Sequence, residues 1–174
     1  RSVDTTMGFT PLEGLVMGSR SGDLDPAVPL FLQRTAGYDL AGVDDLLEHR
    51  SGLAGLCGAN DIRDVLARRA AGDADATLAF DVYCHRIRKY VGAYYAVLGR
   101  VDAIVFTAGV GEHTPEVRAA SLDRLSAFGV RVDPARNAAG APVISPDGAG
   151  VAVCVVPTDE EQAIADDVRA VLSG

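Results

Sequence analysis

The clearest pattern in the chain lies between residues 75 and 98. Phe80, Tyr83, Cys84, Ile87, Tyr90, Val91, Tyr94, Tyr95 and Leu98 recur at spacings of three and four. That periodicity predicts one long helix with a broad apolar stripe, and Gly99 supplies its stop. The tyrosines on the stripe read as core or subunit interface rather than as a cofactor pocket. Upstream, Asp25-Pro26 opens a helix through about Thr35, with Pro29 tolerated in its first turn. A second helix covers 42–50 and stops at Gly52, and Asn60 caps a third that runs to about Ala71. Downstream, 101–107 reads as a buried strand. A Gly-rich turn follows, then a helix with Pro115 at its first position after Thr114. Short strands are predicted at about 130–133, 142–145 and 151–156, with Pro146-Asp147-Gly148 as a turn. A last helix covers about 159–172, entered by a capping box between Thr158 and Glu161. Strands alternating with helices predict an α/β layered domain.

Composition narrows the class. The 174 residues are 48% hydrophobic and 23% charged, the balance of a globular chain rather than a disordered one. The length suits one domain with a sizeable core. Sixteen basic against 24 acidic residues leave a net charge of −8, which argues against a nucleic-acid partner. There is no charged-then-apolar leader and no apolar run of spanning length, so neither secretion nor a membrane span is expected. Cys57, Cys84 and Cys154 are too scattered for a disulfide framework or a zinc site. They read as small apolar thiols in a reducing cytoplasm.

Four constellations can carry chemistry. Residues 4–14 read Asp-Thr-Thr-Met-Gly-Phe-Thr-Pro-Leu-Glu-Gly, and 17–26 read Met-Gly-Ser-Arg-Ser-Gly-Asp-Leu-Asp-Pro. Glycines there allow close backbone approach, and hydroxyls and N–H groups can bond phosphate oxygens. Arg20, between Gly18 and Gly22 on flexible backbone, either grips a phosphoryl group bidentately or forms a surface ion pair. The second constellation is 107–114, Thr-Ala-Gly-Val-Gly-Glu-His-Thr, between a strand and a helix start, where free N–H groups face an anion or nucleotide. It is neither a Walker A loop nor GxGxxG. His113 by itself reads as a capping or surface residue. The third is Asp61-Ile62-Arg63, where the Asp could equally be a dipole partner of a helix start. The fourth is Asp159-Glu160-Glu161. With Glu161 in the capping box, Glu160 is left as a carboxylate that either meets Mg²⁺ through water or adds first-turn acidity.

In this order the four pieces closely resemble the acetate kinase family. Residues 4–26 are similar to its second signature, 107–112 to its Gly-x-Gly-Glu adenosine loop, 61–63 to its Asp-x-Arg nucleotide contact, and 157–161 to its C-terminal Pro-Thr-Asn/Asp-Glu-Glu segment. The resemblance covers essentially the whole chain. It implies a ribonuclease-H-like lobe of the acetate and sugar kinase, Hsp70 and actin superfamily. The implied reaction is ATP + acetate ⇌ ADP + acetyl phosphate, with Mg²⁺, in a homodimer. By position, Arg20 matches the arginine that stabilises the in-flight phosphoryl group. Pro11 matches a wall of the pocket for the acetate methyl. Asp61, Ile62 and Arg63 match the segment that holds the nucleotide. Gly109, Val110, Gly111, Glu112 and His113 match the adenosine loop, and Glu160 the magnesium-linked glutamate. Such groups suit phosphoryl transfer, which depends on positioning and charge neutralisation.

His113 stands where the family usually has Asn, so its side chain offers one hydrogen bond without an amide's paired geometry. The family's remaining phosphate-facing, acetate-binding and catalytic residues have no counterpart in 1–174. The chain is therefore expected to be the C-terminal portion. Residues 1–174 would form a nucleotide-binding lobe, 159–174 would be a terminal helix packing toward the missing lobe, and the chain alone would be inactive. A propionate or butyrate kinase shares these motifs. A non-catalytic nucleotide-binding or dimerisation module is the reading from another class.

Overall fold

The computed structural model describes residues 1–173, the side chains of Glu160 and Ser173 excepted. The chain divides into two compact units, Arg1–Arg100 and Val101–Gly174.

The first unit carries five helices: α1 (Ala27–Thr35), α2 (Leu40–His49), α3 (Gly52–Cys57), α4 (Ile62–Ala70) and α5 (Ala74–Leu98). The long helix forms as its periodicity predicts. Asp73 caps it by accepting from the backbone N–H groups of Asp75 and Ala76 at 2.9 and 3.1 Å. At its other end the Gly99 N–H bonds the Tyr95 carbonyl, with Gly99 at φ 68°. Helices α3 and α4 pack on α5. The core is built from Leu53, Val65, Ala76, Ala79, Phe80 and Cys84. Only the first half of the apolar stripe is buried; Val97 and Leu98 are exposed and the tyrosines half-covered. Two local expectations shift. Asp61, not Asn60, is the cap of α4, accepting from the Arg63 N–H at 2.8 Å. Gly52 does not merely end a helix but starts another. Its φ of 61° turns the chain sharply from α2 into α3, a conformation open to glycine.

The second unit holds two parallel strands, β1 (Ala103–Phe106) and β2 (Ala152–Val155), in register Ala103↔Ala152 through Phe106↔Val155. Parallel pairing requires a crossover, and helices α6 (Ala108–His113), α7 (Pro115–Leu122) and α8 (Pro134–Ala138) lie along it. Pro115 opens α7 as expected. The predicted strands near 130 and 143 reduce to single bridges, Val130↔Val151 and Val143↔Cys154. Strand β1 is not buried: Ala103 and Val105 are exposed, while β2 places Val153 and Val155 in the core with Val117, Leu122, Val130, Ile144 and Val151. The Gly-rich turn after β1 is itself the short helix α6. Helix α9 (Glu160–Ser173) ends the chain. Its capping box does not form. Asp159 caps it instead, accepting from the Gln162 N–H at 2.9 Å, and the Thr158 N–H that Glu161 would need is held by Glu112. Among the described residues no helix is long and apolar enough to cross a membrane.

Candidate active site

Arg20 does not sit on flexible backbone. Its segment is stitched to the corner between α2 and α3. The N–H groups of Ser51, Leu53 and Ala54 donate to the carbonyls of Ser19, Met17 and Gly18 at 2.8–3.0 Å, and the Ser21 N–H donates to Leu47 at 3.1 Å. The Ser19 hydroxyl donates to the Glu48 carbonyl at 2.8 Å. A Cβ on Gly52 would collide with the Met17 carbonyl oxygen and lie 2.7 Å from that of Arg20, so the close approach requires glycine. The Arg20 Nε donates to Glu48 Oε2 at 2.8 Å, and its Nη1 makes a 4.0 Å contact with Met17 Sδ. The Arg20 side chain stays 38% exposed.

The rest of the signature is anchored on α5 through Asp23. One Asp23 carboxylate oxygen accepts from the Gly14 N–H at 2.8 Å, and the other accepts from the Tyr90 hydroxyl at 2.8 Å. Arg86 pairs with the same carboxylate at 3.2 Å and donates to the Gly14 carbonyl at 3.0 Å. Desolvation, then the hydrogen bond to Asp23, pushes the Tyr90 phenol up to about 12. Pro11 lies in the exposed part of this segment.

In 61–63 the three side chains face different surroundings. Asp61 receives the Arg63 Nε at 3.0 and 3.1 Å as well as its N–H. Those side-chain and then backbone hydrogen bonds hold the Asp61 carboxyl at about 2. Ile62 is buried, and Arg63 is 84% exposed.

In the second unit, Gly109 and His113 are exposed and Val110, Gly111 and Glu112 half-buried. Open space surrounds the position of a Gly109 Cβ. Ala108, at the start of α6, has φ 59°, a left-handed conformation that is strained for a residue with a Cβ. Arg118 fixes the other end of α6. Its Nη1 donates to the carbonyls of Gly111 and Glu112, both at 2.8 Å, satisfying acceptors that the helix end leaves open. Its Nε and Nη2 donate to Asn137, and burial pushes the guanidinium pKa down. The Glu112 Oε1 accepts from the Thr158 N–H at 3.0 Å and from its hydroxyl at 3.2 Å. The loop after β1 is thereby tied to the segment that leads into Glu160. The Glu160 side chain itself lies outside the described residues. No cluster of three or more metal-ligating side chains occurs among the described residues.

The sequence pattern does not single out Glu48, Arg118 or Asn137, and it marks Gly52 only as a helix stop. Arg118 alone left a trace: it lies on the face of α7 that carries Val117, Ser121 and Leu122, all buried. A charged residue on an apolar face signals a partner.

The chain superposes on an acetate kinase from Porphyromonas gingivalis with a TM-score of 0.91 and 42% identity, covering 96% of this chain and 43% of that one. It superposes equally on a propionate kinase from Francisella tularensis, at 0.91 and 37% identity, covering 95% of this chain and 43% of the other. The fold is the α/β kinase fold of these enzymes. A curated acetate kinase of Streptomyces coelicolor is 57% identical over 99% of this chain and 43% of its own length. The profile of the Acetokinase family matches residues 1–166, and the chain belongs to that family. It spans less than half the length of these relatives.

Proposed function

We propose that the protein, at its full natural length, transfers the γ-phosphoryl group of ATP to acetate, giving acetyl phosphate and ADP. The observation that carries this reading is Arg20. Its guanidinium is anchored at one edge by Glu48 while the side chain stays part-exposed, a posture that suits a group meeting phosphoryl oxygens. Pro11 walls the methyl pocket. Asp61, Ile62 and Arg63, with Gly109, Val110, Gly111, Glu112 and His113, hold the nucleotide. The exposed Arg63 and the open surface at Gly109 support that assignment. The described residues offer no carboxylate cluster for a cation. Glu160 would meet Mg²⁺ through water, and the ion would supply neutralisation of the nucleotide phosphate charge.

Residues 1–174 form the nucleotide-binding lobe in this reading. The exposed Ile164, Val168, Val171 and Leu172 support helix 159–174 packing on another part of the full-length protein. The half-covered tyrosine end of α5 supports a homodimer. Three free cysteines support a cytoplasmic setting, and the net charge of −8 supports the absence of a nucleic-acid partner.

The equal likeness to a propionate kinase keeps that acid as the second reading. The ratio of kcat/KM for acetate and propionate separates them, since one methylene is worth about 1–3 kcal/mol. Acetyl phosphate formation by the full-length protein, with none from residues 1–174 alone, is the expected result. Absence of ATP-dependent phosphorylation of either acid would overturn it.

A further inference from the structure

We propose that Glu48 is the positioning residue of Arg20. The inference rests on the reading of Arg20 as the phosphoryl-facing group and names what holds that group in place.

Three observations converge on Glu48. First, its carboxylate takes the Nε edge of the guanidinium at 2.8 Å while 21% exposed, more enclosed than Arg20 itself. A planar fork held at Nε has its remaining nitrogens aimed in one direction. Second, Glu48 is a fixed post. Its carbonyl accepts from the Ser19 hydroxyl, its neighbour Leu47 accepts from the Ser21 N–H, and on the other side Ser51 donates to Ser19 and α3 donates to Met17 and Gly18. The backbones of the two partners are thus tied on both flanks, and only the two side chains remain to be oriented. Third, Glu48 is the penultimate residue of α2, where the helix presents its negative dipole end. A carboxylate there is locally unfavourable. The Arg20 charge offsets that, so the sequence sets aside a local preference to put an anion beside Arg20.

The consequence is preorganisation. An arginine free to sample its rotamers must be ordered as the reaction proceeds, whereas one held by Glu48 has that ordering built into the fold. Loss of the carboxylate therefore lowers the rate of phosphoryl transfer while leaving ground-state binding in place.

The test uses the full-length protein with Glu48→Ala, Glu48→Gln, Arg20→Ala and the double variant Arg20→Ala/Glu48→Ala. Glu48→Ala is expected to lower kcat about tenfold or more, with KM for ATP and acetate within about twofold and an unchanged melting temperature. Glu48→Gln, which keeps an acceptor in place, is expected to recover most of that loss. In the Arg20→Ala background, removing Glu48 is expected to cost nothing further. Should Arg20→Ala abolish turnover while Glu48→Ala leaves kcat intact, the positioning role is overturned and the function of Arg20 stands. A fully active Arg20→Ala overturns the underlying reading of Arg20. Equal losses in kcat and thermal stability, or a further loss in the Arg20→Ala background, assign Glu48 a structural role and also overturn the proposal.

Discussion

Arg118 and Asn137 form a closed pair inside the second unit: the arginine Nε donates to the amide oxygen of Asn137 and Nη2 to its carbonyl, both at 2.7 Å. Both residues are buried, and the Asn137 amide donates onward to the Pro115 carbonyl at 2.8 Å. With Nη1 on Gly111 and Glu112, one guanidinium joins α6, α7 and α8. Arg118→Met removes these donors and leaves buried acceptors unpaired, so it is expected to destabilise by about 3 kcal/mol in urea unfolding. Arg118→Lys should restore little, because an ammonium cannot reproduce the fork. Loss of order at Gly111 and Glu112 should also raise KM for ATP.

Two glycines make opposite predictions. Gly52→Ala adds a methyl that collides with the Met17 carbonyl at a positive φ, so it is expected to cost at least ~2 kcal/mol and to disturb Arg20. Gly109→Ala meets open space within a helix, so stability should hold or rise by up to ~1 kcal/mol. A rise in KM for ATP without loss of stability would place the nucleotide on that surface; an unchanged KM would remove it.

The Asp61 carboxyl should titrate at about 2 rather than at the ordinary 3.8. Its folded-state value is lowered, so the stabilisation from the Arg63 pair and the helix cap is full above the ordinary value. It is lost as pH falls through about 2. Carboxyl chemical shifts followed by NMR give the midpoint directly. Arg63→Gln should move that midpoint back toward 3.8, and Asp61→Asn should remove this part of the acid-side pH dependence.

Glu112 and Thr158 are 46 positions apart in sequence, yet they share two hydrogen bonds. A double-mutant cycle of Glu112→Ala and Thr158→Ala in urea unfolding should give a coupling of about 1 kcal/mol. Independent, additive losses would show that the Thr158 hydroxyl does not bond Glu112 in solution.

Much of the local structure was legible in the sequence. The three-and-four spacing from Phe80 to Leu98 located α5 to within a residue of its start, and Pro115 marked the start of α7. These signals act within a turn or two of the chain. Local signals failed where a distant partner competed for the same atoms. Thr158 could have capped α9 with Glu161, but its N–H, which Glu161 would need, bonds Glu112, and Asp159 became the cap. The Gly-rich stretch after β1 suggested a turn, but it is helix α6, whose end carbonyls bond a buried arginine.

The candidate site divides in the same way. Residue types in order along the chain sufficed to single out Arg20, the Asp61–Arg63 segment and the Gly109 loop. Tertiary structure alone decided what holds them: Glu48, 28 positions from Arg20, and Arg118, whose fork closes on Asn137, Gly111 and Glu112. Pairings of that kind follow no period and no spacing. They exist only once the backbone has brought both ends together, and a single donor or acceptor in a sequence carries no mark of the partner it will meet.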